Sequence, residues 1–122
     1  MGVASSYDAN GEPVDRYRWP ARMLVAEGAH AALRDWRKQA IADREEMLSA
    51  QALAGRSGDR EGARYFKEAA AHLLKMQRAM TLMLPWFGEP DTKQEAVSPE
   101  LWPIEMASEL DVVSARLLIE FG

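Results

Sequence analysis

The fold class expected of this sequence is all-α: a long antiparallel helical hairpin with a C-terminal amphipathic helix and an extended N-terminal arm. Three observations carry that expectation. Phe66, Ala70, Leu73, Gln77, Met80 and Leu84 step by 4, 3, 4, 3 and 4, and Ala69, Met76 and Met83 form a second row at intervals of seven. That is a 3.5-residue period of the coiled-coil kind. Upstream, residues 20–54 contain no helix breaker except Gly28. Downstream, Met106, Leu110, Val113, Leu117 and Phe121 step by 4, 3, 4 and 4, with charged residues elsewhere around the turn.

Residues 1–19 read as an arm. Gly2, Gly11, Pro13, Ser5 and Asn10 punctuate them, and no apolar period is present. Only Tyr17 and Trp19, interleaved with Arg16 and Arg18, break that character. The hairpin is assigned to residues 20–84. Pro20 suits the first helical position, where a missing N–H costs nothing. Leu33, Trp36, Ala40, Met47 and Ala50 form one stripe, with Ile41 and Leu48 alongside it. A single helix over 20–54 is ~52 Å long, more than a compact domain needs, and a break near Gly28 would shorten it. Gly55 is placed as the left-handed residue that ends the helix. A turn of Arg56 to Asp59 follows, with Ser57 or Asp59 as cap of the second helix. Pro85 stops that helix. Leu73, central in its stripe, is expected to be fully buried.

Residues 85–103 form a connector rich in proline, but Trp86, Phe87, Leu101 and Trp102 lie within it. Disordered linkers are poor in such residues, so this segment is expected to lie flat against the hairpin. Ser98-Pro99-Glu100 fits a short helical turn. Residues 104–122 form the last helix. A strand competes there, because Val112-Val113 and Leu117-Leu118-Ile119 are apolar runs without alternation. Nowhere else is a strand expected.

Composition narrows the function. The chain has 122 residues, no cysteine and a formal charge of −4. That size suits one domain of ~100–150 residues. Disulfide scaffolds and thiol chemistry are excluded. No apolar run reaches the ~18 residues of a membrane span, and no signal-peptide core is visible. The protein is therefore expected to begin near Met1 and to act in the cytoplasm of its own cell or of a host, or in a virion. Charge falls in blocks of −3 over residues 1–15, +5 over 16–84 and −6 over 85–122. Either these are solvated surfaces, or the acidic ends of one copy meet the basic middle of another.

Candidate chemistry is sparse. Glu27 and His30, and Glu68 and His72, have helical spacing, but a di-metal bundle site needs further inward carboxylates. No metal and no cofactor are expected, and Glu68–His72 reads as a surface pair. No serine sits in a nucleophile elbow, and no glycine-rich loop joins a strand to a helix. Catalysis is not expected. Arg56, Arg60, Arg64 and Lys67 cluster at the hairpin tip as a possible anion or nucleic-acid contact. Acidic neighbours and an isoelectric point near 5.2 weigh against duplex binding. Tyr17, Trp19 and Trp102 are the candidate partner anchors, since amphipathic aromatics favour interfaces. Burial of the tryptophans in the chain's own core is the alternative.

These readings converge on a non-catalytic interaction protein: a small subunit of an oligomer or larger assembly. In size and build it has the general look of an accessory or connector-type component of a phage particle. A regulator or inhibitor of a host protein complex is the first alternative, and a nucleic-acid-binding packaging adaptor the second. The partners expected are other copies of the chain, as a homo-oligomer, or other assembly subunits.

Overall fold

A computed structural model describes residues 6–7, 13–14, 19–88 and 96–122. The fold is all-α, as its apolar periods require. In the arm, β1 (Ser6–Tyr7) and β2 (Pro13–Val14) pair antiparallel, a two-residue ladder where no strand was expected.

The first long element is interrupted near Gly28, at Val25 and Ala26. Helix α1 (Ala21–Leu24) ends at Val25, and Ala26 takes an extended conformation (φ −72°, ψ 120°). Helix α2 (Glu27–Arg56) begins just beyond it. Gly28 lies inside the first turn of α2 and serves contact rather than bending. A β-carbon there would stand 3.1 Å from a ring carbon of Phe121.

The hairpin turn also differs in register from the expectation. Gly55 is helical, and Gly58 is the residue with positive φ, +77°. The amide of Asp59 donates to the Ala54 carbonyl at 2.9 Å and that of Gly58 to Gly55 at 3.3 Å. This crossed pair is a Schellman motif with Gly58 at its left-handed position. The Ser57 hydroxyl belongs to the same helix end, donating to the Leu53 carbonyl at 2.8 Å. Asp59 alone caps the next helix, α3 (Arg60–Met83), accepting from the Gly62 amide at 2.9 Å. The two helices then run antiparallel, and Arg37 of α2 donates to Thr81 of α3 across them at 3.4 Å.

Past α3, Leu84–Trp86 make a 3₁₀ turn that carries Pro85, which has no N–H to continue the helix. Pro99–Leu101 and Ile104–Met106 form two further 3₁₀ turns. Helix α4 (Ala107–Phe121) closes the chain and settles the competition with a strand at Val112–Phe121.

The main apolar core sits at the open end of the hairpin. Met23, Leu33, Met80, Met83, Leu110 and Leu117 are fully buried there. Helix α4 holds this end together: Glu109 reaches His72, Arg116 lies over the Trp36 ring at 4.0 Å, and Phe121 meets Gly28. Towards the tip no third element among the described residues covers the seam. Leu73 is consequently half-buried rather than fully buried, and beyond Ala40 the only fully buried residue of α2 is Ala54.

Candidate interaction site

Helix α4 is apolar on two opposite faces. Its inward face places Met106, Leu110, Val113 and Leu117 in the core at steps of 4, 3 and 4. The opposite face continues from the preceding 3₁₀ turn as Ile104, Ser108, Val112, Ala115 and Ile119, at steps of 4, 4, 3 and 4, and every one is exposed. Ile119 is 85% and Val112 56% exposed. Leu118 and Leu101 border the same region. Among the described residues, six of the eleven large exposed apolar side chains fall between Val97 and Ile119. An ordinary surface helix has one apolar stripe and a polar back. A second apolar stripe makes the outer side of α4 a candidate interaction surface.

The sequence contained a signal for this face. Adjacent apolar residues in a helix point about 100° apart, so Val112-Val113 and Leu117-Leu118-Ile119 cannot all face one core. The same runs that favoured a strand are the trace of a two-faced helix.

The tryptophans named as candidate anchors are buried in this chain's own core, the alternative reading. Trp19 is 8% exposed and Trp102 fully buried, and both belong to the main core. Trp19 packs edge-on against Phe87, with ring centroids 5.0 Å apart, and its ring lies 6.0 Å from that of Trp102. Three segments distant in sequence thus share one aromatic cluster, and Trp19 belongs to the domain rather than to the arm. The indole N–H groups of Trp86 and Trp102 both donate to the Val97 carbonyl at 3.0 Å. This bond pair holds the connector against the hairpin end. The Gly88 amide adds a bond to the Leu24 carbonyl at 2.7 Å. Tyr17 lies outside the described residues.

At the opposite end of the molecule, Arg56, Arg60, Arg64 and Lys67 are all exposed around the hairpin turn. Arg64 stands 3.7 Å from Glu68. Arg56, Arg60 and Lys67 make no ion pair among the described residues. Leu53 and Tyr65, more than 60% exposed, share this tip.

The histidines are placed differently from the expected surface pair. His72 Nδ1 lies 3.5 Å from Glu109, whose side chain is 9% exposed, while Glu68 turns to Arg64. His72 and Glu109 therefore join α3 to α4 across the core edge. His30 is half-buried against Gly88. Among the described residues no three histidine or carboxylate side chains are grouped as a metal would require. No described helix is long and apolar enough to cross a membrane. Comparison of the chain with protein families, with curated proteins and with solved structures gave no match.

Proposed function

We propose that this is a non-catalytic interaction protein, a small subunit of an oligomer or larger assembly, and that it engages its partner through the outer face of α4. One observation carries the reading: the concentration of exposed large apolar side chains on α4 and the turns before it. Covering such a face removes apolar surface from water at roughly 25 cal/mol per Å². A role as an accessory subunit of a phage particle fits the small, cysteine-free helical build, and is the finer form of the same proposal.

The test is site-specific photo-crosslinking in the producing cell. A photoreactive side chain at position 119 is expected to give discrete protein adducts, whereas the same group at the exposed, polar Lys75 gives none. Equal adduct patterns at the two positions, or no adduct at 119, overturn the proposal.

Packaging of nucleic acid is the second reading, favoured by Arg56, Arg60 and Lys67 at the tip, which make no ion pair among the described residues. Asp59 and Glu61 interleave with them, which dilutes the field that phosphate binding requires.

A further inference from the structure

We infer that the partner of the α4 face is the hairpin tip of a second copy of this chain. The inference rests on the interaction reading above and names its occupant. Both surfaces expose large apolar side chains, and they are opposite in net charge. The tip offers Leu53 and Tyr65, each six residues from Asp59 on its own helix. The Tyr65 ring is held by an edge contact with Phe66, centroids 5.3 Å apart, so it is presented rather than loose. Around them Arg56, Arg60 and Lys67 have no ion pair among the described residues. The α4 face offers Val112, Ile119 and Ile104; Glu105, next to Ile104 in the chain, and Glu100, in the 3₁₀ turn before it, are exposed. Neither carboxylate has an ion pair among the described residues. Glu120 differs, since it shares Arg116 at 3.5 Å.

Charge decides between the possible pairings. Face against face brings Glu100 and Glu105 of two copies together, and tip against tip sets two surfaces together whose Arg56, Arg60 and Lys67 outnumber Asp59 and Glu61. Like charges juxtaposed across an interface are costly. The crossed contact sets the net negative face against the net positive tip while covering apolar side chains on both sides. It cannot form within one chain: α4 spans the open end of the hairpin, from His72 to Gly28, and the tip lies at the far end of two continuous helices. Each copy has one of each to offer, so the contact is either reciprocated in a two-fold dimer or continues into a ring or an open chain.

Sedimentation velocity of the full chain over ~1 μM to ~1 mM tests this. The variants are Ile119→Glu, which spoils the face, and Tyr65→Glu, which spoils the tip; both residues are exposed, and circular dichroism checks that each variant is folded. The wild type is expected to associate into a dimer or larger species with concentration, and raised salt is expected to weaken it. Each variant alone is expected to associate at least ~30-fold more weakly, the loss of one anchor side chain. Mixed, the two variants retain one good face and one good tip between them, and are expected to form a 1:1 pair that grows no further. A wild type that stays monomeric overturns the second copy as occupant but leaves the crosslinking test of the α4 face intact. Assembly lost in Ile119→Glu and unchanged in Tyr65→Glu overturns the tip and keeps the face. Assembly unchanged in both variants overturns this inference and the face together.

Discussion

Gly55 and Gly58 stand three residues apart at the hairpin tip and have opposite backbone requirements. Gly55 is helical with open space where a β-carbon would lie, so Gly55→Ala is expected to stabilise by ~0.5–1 kcal/mol through helix propensity and a less flexible unfolded chain. Gly58 has equally open space but a φ of +77°. Gly58→Ala is therefore expected to cost ~1 kcal/mol, from backbone strain alone. Urea denaturation of the two variants checks both signs, and reversed signs would return the left-handed position to Gly55. From sequence, Gly55 was the natural choice because it is the first glycine after the stripe. Only the crossed hydrogen bonds to Ala54 and Gly55 reveal that the helix runs one residue past it. Trp19 and Trp102 teach a similar lesson. A tryptophan beside a proline outside a helix is compatible with a partner's pocket and with the chain's own core, and the distinction lies in distant neighbours such as Phe87 that no local pattern names.

At the scale of elements, periodicity was highly legible. Both long helices, the stop at Pro85, the turn at Pro99–Leu101 and the inward stripe of α4 follow from spacing and capping chemistry. Burial within a stripe did not follow, because it depends on how many elements cover each stretch. Leu110 meets both hairpin helices' core, and Leu110→Ala is expected to cost ~2–5 kcal/mol, as a truncated fully buried leucine does. Val112→Ala, two residues on and exposed, is expected to stay within ~0.5 kcal/mol. Leu73→Ala falls between them, since that side chain is half-buried beside the core. Thermal or urea unfolding of the three orders them. A Val112→Ala cost as large as that of Leu110→Ala in dilute, monomeric protein would show that the outer face of α4 is covered by this chain itself. The outer face was the part of the candidate site most nearly visible in the sequence, through its adjacent apolar pairs. Its rival, the aromatic anchors, drew attention because aromatics are conspicuous, although a solvent-facing isoleucine is the rarer event.

For the molecule as a whole, one helix covers one end of a long hairpin, and this should divide its stability. Fully buried side chains of α2 and α3 concentrate at Ala29–Ala40 and Ala79–Met83, where α4, the 3₁₀ turns and the aromatic cluster close over them. Between there and the turn, only Ala54 and Ala70 are fully buried, and alanine buries little apolar area. A two-helix stretch with so thin a seam opens locally at a lower free energy than the capped end. Hydrogen exchange of dilute protein is therefore expected to show amides of residues 46–56 and 62–71 exchanging well ahead of those of residues 31–40 and 76–83. Capping at Asp59 and the Schellman bonds slow the fraying at the turn, so the fastest helical exchange belongs beside the turn rather than across the whole distal half. Raising the protein concentration into the assembling range should then protect the distal amides more than the proximal ones, because a docked tip gains the third layer it lacks alone. Uniform protection at all concentrations would mean that the distal seam is as stable as the capped end, and that the tip has no need of another copy to complete it.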